Sequence, residues 1–172
     1  ATDDAARREF DELRPAWSAS AGRRRIDLSA LVGADAQCLA EALLAPFDEV
    51  PTGLRERLTT GAEGNPYFME ELVNMMVDRG VIVSEHGHWT LKPERLHLAQ
   101  MPSTLAGVLQ ARLDLLPADE LHALQLAAVV GTVFWDDALR VLGLAGELPL
   151  ASLTVRQLIV ERPESSLEGR RE

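Results

Sequence analysis

Gly61-Ala-Glu-Gly-Asn-Pro-Tyr-Phe-Met-Glu-Glu-Leu-Val-Asn-Met-Met-Val-Asp-Arg-Gly80 is the stretch on which the fold turns. Gly61 and Gly64 punctuate one helix, and Pro66, suited to a first helical turn, starts another. That second helix runs to about Arg79 and is stopped by Gly80. Its residues Phe68, Met69, Leu72, Val73, Met75 and Met76 form a wide apolar stripe, with Glu70, Glu71, Asn74 and Asp78 elsewhere. Core packing explains the stripe more simply than a methionine-rich docking surface. The Gly-Asn-Pro junction exposes the N-terminal amides of the new helix beside a flat proline ring. Such a corner can hold an anion or pack on a base, although taken alone it reads as an ordinary helix–helix turn.

Upstream, residues 1–25 are polar and irregular around Pro15 and Trp17. Ile26 to Leu31 alternates apolar and polar residues, as a short strand or extended segment does. From Ala34 to Phe47, Leu39, Leu43, Leu44 and Phe47 recur at helical spacing. Pro51 opens a further helix with Leu54 and Leu58 on its inner face. Downstream, Val81-Ile-Val, a Glu-His-Gly-His tip and Trp89-Thr-Leu predict a β-hairpin. After Pro102 comes one helix carrying Leu105, Val108, Leu109, Leu113 and Leu116. A second starts at Pro117-Ala-Asp-Glu, with Leu121, Leu124, Ala128 and Val129 on its stripe. Two shorter helices are expected near 135–142 and 149–160, before a charged tail from Glu161 that reads as cut.

Composition agrees with helix packing. Of 172 residues 47% are hydrophobic but only 5% aromatic, so the core is built from Leu, Val, Ala and Met. A net charge of −10 disfavours nucleic acid and anionic lipid, and the Arg23-Arg24-Arg25 cluster is read as a solvated loop. Cys38, the single cysteine, excludes a disulfide framework, and inside an amphipathic helix it is expected to be buried. No secretory or membrane-spanning signal is present, so the cytoplasm is the expected compartment.

Tests for a catalytic centre fail. A P-loop needs G-x-x-x-x-G-K-[ST], because glycine amides cradle the phosphates that the lysine reaches. The only lysine, Lys92, has no suitable glycine ahead of it. Leu126 to Trp135, followed by Asp136 and Asp137, imitates a Walker B strand, but without a P-loop it reads as a buried helix, a turn and a new helix. His86, His88 and His97 invite a metal, yet a glycine-containing hairpin tip suits them better, so no metal site is assigned. Glu70 and Glu71 diverge by about 100° on a helix and are read as solvating it near its positive end, not as an acid–base pair. No catalytic residue is assigned.

The pieces 62–82 (AEGNPYFMEELVNMMVDRGVI), 89–91 (WTL) and 101–135 (MPSTLAGVLQARLDLLPADELHALQLAAVVGTVFW) resemble the post-P-loop part of STAND-type AAA+ ATPase modules. Such modules lie behind bacterial class III adenylate/guanylate cyclase domains and in large LuxR-type regulators. Residues 7–17 (RREFDELRPAW) resemble the segment after that family's sensor-1 strand, and 158–172 (LIVERPESSLEGRRE) the point before its F-x-H segment. The resemblance implies a mainly α chain: a helical AAA+ lid with one short β-hairpin, then a winged-helix-like subdomain. It implies a linker over 1–33 after a missing nucleotide-binding core, a lid over 34–92, and the winged-helix-like part over 93–172, truncated at its C-terminus.

The resemblance assigns Gly64, Asn65, Pro66 and Tyr67 to nucleotide contact, with Pro66 near the adenine. Tyr67 stands where related lids carry a sensor-2 arginine, so no arginine contact to the γ-phosphate is expected from that position. Thr132 replaces the basic residue of V-G-R-x-F, and Arg112 matches a recurrent arginine. The implied cofactor is ATP or ADP, held only together with the missing P-loop core, where Mg belongs. The implied partners are the rest of the polypeptide, meaning the core, an effector and helical repeats, and a second copy in a homo-oligomer. The chain is thus expected to be the nucleotide-responsive regulatory part of a signalling ATPase, without turnover of its own. The rivals are a helical protein-interaction module and a winged-helix DNA-binding module. The second is disfavoured because only Arg140 and Arg156 lie between Gly131 and Glu161.

Overall fold

The computed structural model describes residues 26–98, 101–144 and 146–162. What the sequence suggests for residues 1–25, including the arginine cluster, and for 163–172 lies outside them. The described chain is mainly helical with one short antiparallel hairpin. In order come α1 (Ala34–Leu43), α2 (Leu54–Gly61), α3 (Pro66–Asp78), β1 (Ile82–Glu85) and β2 (His88–Leu91). A 3₁₀ turn (Pro93–Leu98), α4 (Leu105–Leu113), α5 (Ala118–Val130), α6 (Asp136–Val141) and α7 (Leu150–Val155) follow.

The first core is organised by α3. Asn65 caps it, its side-chain oxygen accepting from Phe68 N at 3.2 Å, and Pro66 takes the first helical position, where no N–H is needed. All six apolar residues of the expected stripe are buried. At about 1.5–3 kcal/mol for each large apolar side chain, that face is the main stabiliser of the unit. The helix ends where Gly80, at φ +63, lets its own N–H reach Val77 O and Val81 N reach Met76 O, both at 2.9 Å. Around α3 pack Ala36, Ala40 and Leu44 of the α1 region and Leu54 and Leu58 of α2. The second helix begins later than the proline suggests. Pro51 forms the turn before it, with Leu54 N donating to Pro51 O at 3.1 Å.

The alternating stretch from Ile26 to Leu31 makes no strand. It has no regular secondary structure and is joined to the corner by Leu31 N donating to Gly64 O at 2.8 Å, while Ile26 and Leu28 stay exposed. In the hairpin Ile82 pairs with Leu91 and Glu85 with His88. Its two-residue turn places His86 at φ +55 and Gly87 at φ +88, the double positive φ whose twist matches the strands. Trp89 fastens it to the chain leaving α1: its N–H donates to Pro46 O at 2.9 Å, and its ring meets Phe47 edge to face at 5.7 Å. Thr104 caps α4, accepting from Gly107 N at 3.1 Å, and Val108 packs into this first core.

A second, separate core gathers Ala123 and Ala127 of α5, Leu139 of α6, Leu144 beyond the end of α6, and Leu153 of α7. The fully buried residues of α5 are Glu120, Ala123 and Ala127; of the expected Leu121, Leu124, Ala128 and Val129, Leu124 packs against this core while Ala128 and Val129 are exposed, Val129 by 75%. Apolar residues lie nearly all round α5, so periodicity cannot select its face. The Walker-like stretch is helix, then Gly131 at φ +140, then Asp136 and Asp137 in the first turn of α6.

Candidate functional site

Gly64 holds the corner in shape. At φ +77 it adopts a conformation costly for any residue with a Cβ, and an added Cβ would lie 2.4 Å from Leu31 O. It is buried under the 30–31 backbone, whereas Asn65, Pro66 and Tyr67 are exposed, Tyr67 by half. The four residues are therefore brought together with two kinds of role. Gly64 and the Asn65 cap shape the turn, while the Pro66 ring and Tyr67 phenol are open to a partner. Burial of the phenol, then the nearby Glu71 charge, raises Tyr67 above its ordinary value, with Arg112 opposing.

Behind the corner lies a chain of charges that sequence spacing did not reveal. Arg112 of α4 is almost wholly buried, at 1% exposure. Its Nε donates to Asp78 Oδ2 at 2.8 Å, its Nη1 to Glu71, and its Nη2 to the Arg156 carbonyl. Glu71, expected to be solvated, is instead buried as the arginine's partner. The reason is geometric: Glu71 lies on the face of α3 that α4 covers, where only a buried cation makes a carboxylate tolerable. Burial works against the Arg112 charge, but hydrogen bonds to Asp78 and Glu71 overcome it and raise its pKa above the ordinary value.

Arg156, just past α7, continues the chain. Its Nη1 lies 3.2 Å from Asp78 Oδ1 and its Nε 3.2 Å from Glu120 Oε2. The latter contact is Coulombic, since Glu120 Oε2 lacks an aligned hydrogen bond; Oε1 accepts from Ser152 Oγ. The Arg156 carbonyl is free for Arg112 because the helix stops there. Gln157 turns to φ +57, its N–H reaching Thr154 O at 2.9 Å, and Leu158 N reaches Leu153 O at 3.0 Å. A cleft of about 270 Å³ opens beside these groups, with Trp89, Val77 and Gln157 on its walls.

Other candidates disperse. Cys38 is exposed, not buried, because α1 turns Ala36 and Ala40 inward instead. His88 Nδ1 lies 2.7 Å from Asp48, and His86 occupies the hairpin tip. Among the described residues no three His, Cys, Asp or Glu side chains gather to hold a metal. Lys92 pairs with Glu85 at 2.7 Å, Arg140 donates to Gly146 O at 3.1 Å, and Thr132 is exposed. Of the two arginines between Gly131 and Glu161, Arg156 is held by acids and Arg140 is exposed. Among the described residues no helix is long and apolar enough to cross a membrane. Compared with family models, curated proteins and solved structures, the chain matches none.

Proposed function

We propose that the chain is the lid and winged-helix part of a STAND-type ATPase in a bacterial, cytoplasmic signalling protein linked to adenylate or guanylate cyclase output. A P-loop core elsewhere in the same polypeptide supplies the phosphate site and Mg. ATP or ADP held there meets Pro66 and Tyr67, and its differential contacts bias the position of the helices that follow. The effector, helical repeats and a second copy of the chain are the proposed partners.

One observation carries the proposal. The exposed Pro66 and Tyr67 stand at the start of a 13-residue helix whose later turns hold Glu71 and Asp78 in the charged network. A helix of that length is a rod of about 20 Å. A ligand at its positive end is thereby connected to the contact between the two cores.

Peptide mapping of the native polypeptide, after photolabelling with an azido-adenine ATP analogue, tests the proposal. The expected result is a G-x-x-x-x-G-K-[ST] loop ahead of Ala1 and label within the tryptic peptide ending at Arg79. A native polypeptide without that loop, or label that avoids this peptide, overturns it.

A further inference from the structure

The two apolar cores share no residue. The first draws on residues from Leu31 to Ala111 of α4, and the second on Leu116 onward. Where they face each other, the contact is polar. Among the described residues two side-chain bonds cross it: Arg112 Nη2 to the Arg156 carbonyl, and Arg156 Nη1 to Asp78. The two arginines differ in kind. Arg112 is sealed, with Glu71 and Asp78 both supplied by the first core's own helix. Arg156 keeps 29% of its side chain exposed and reaches outward from the second core to Asp78, while Glu120 of its own core holds its other side.

We propose that Arg156 is a releasable clasp: it holds the second core against α3 by charge. Once it leaves Asp78, of those two bonds only the one from Arg112 to the Arg156 carbonyl crosses the joint, a single hydrogen bond whose loss lets the α5–α7 unit move as a body. This deepens the function proposed above, and rests on it only for the purpose the movement would serve. Three features make the joint separable. Release exposes no shared apolar core, so it does not carry the cost of opening one. Glu120 remains beside Arg156 after release, so the arginine is not left unpaired. Asp78 retains Arg112 through its other oxygen, and Arg112, on losing the Arg156 carbonyl, keeps Glu71 and Asp78, so neither face is left with an isolated buried charge. The open cleft at the same place, walled by Val77 and Trp89 on one side and Val155 on the other, leaves room for the faces to shift. The connection between the units is short, Asp114 to Pro117, so release gives a pivot and not a separation.

The test uses the whole chain with spin labels on the exposed native Cys38 of α1 and on a cysteine introduced at the exposed Val129 of α5. Electron–electron distance distributions are recorded for the parent and for Arg156→Gln, alongside helical circular dichroism. The expected result is one narrow distance in the parent and a broadened distribution with a second population in Arg156→Gln, at unchanged helicity. An unchanged distribution overturns the clasp. Should Arg156→Gln lose helicity, Arg156→Met decides, because it keeps the apolar stem and bulk of the side chain without its charge. A second population in that variant supports the clasp, and a single unchanged distance overturns it. No nucleotide enters the measurement, so its failure leaves the nucleotide proposal standing, and the peptide map leaves the clasp untouched.

Discussion

Gly64 illustrates how much one residue can be asked to do. Its positive φ and the 2.4 Å approach of Leu31 O to any added Cβ both forbid a side chain. Gly64→Ala is expected to destabilise the chain by about 2 kcal/mol or more, measured by urea unfolding, because the αL cost and the backbone clash add. Tyr67 offers a second check, since it is the chain's single tyrosine and can be titrated by its ultraviolet absorbance. Its phenol is expected to ionise above the ordinary value of 10.0, and Glu70→Gln to bring it part of the way back. A raised value means the folded chain prefers the neutral phenol. The associated stability is present below pH 10 and is lost as pH climbs through the folded-state value. The sequence identified Gly64 and Pro66 through their backbone chemistry, which is local. It could not place Glu71 or Arg112 together, because their pairing spans 41 residues and is created only when α4 docks on α3.

At the scale of elements, local signals worked where a cap, a stop and a distinct stripe agreed. The start of α3 at Asn65-Pro66 and its end at Gly80 were both legible, as was the hairpin turn at His86-Gly87. Asn65→Ala should cost about 1 kcal/mol in thermal or urea unfolding, the usual loss for an N-cap whose oxygen accepts a backbone N–H. The end of α7 went unseen because its left-handed residue is Gln157, where a glycine would have announced the stop. Gln157→Gly is accordingly expected to stabilise the chain by about 0.5–1 kcal/mol, the relief of a side chain held at positive φ less the added freedom of the unfolded chain. A midpoint that falls instead would show that Gln157 makes a contact worth more than its strain. For α5 the stripe itself was ambiguous: with leucines, alanines and valines on every side, burial was decided by which neighbours docked.

Across the whole molecule, the network from Glu71 through Arg112, Asp78 and Arg156 to Glu120 holds three carboxylates and two guanidiniums. Arg112→Ala leaves two acids without their main partner, and should lower unfolding free energy by about 3–5 kcal/mol, more than most apolar truncations in the same core. Urea denaturation of the two proteins checks this, and a loss below about 1 kcal/mol would mean that the buried pairs contribute no more than solvent-exposed ones do. The network also bears on how such a chain can be inherited. A natural-looking boundary runs through the 3₁₀ turn at Pro93–Leu98, yet α4 on its far side carries the partner of acids on its near side. Recombination there between diverged relatives would deliver Glu71 and Asp78 from one parent and Arg112, Glu120 and Arg156 from the other. Those five positions should therefore travel together through descent, and a graft that divides them would need its charges rebuilt before it could fold.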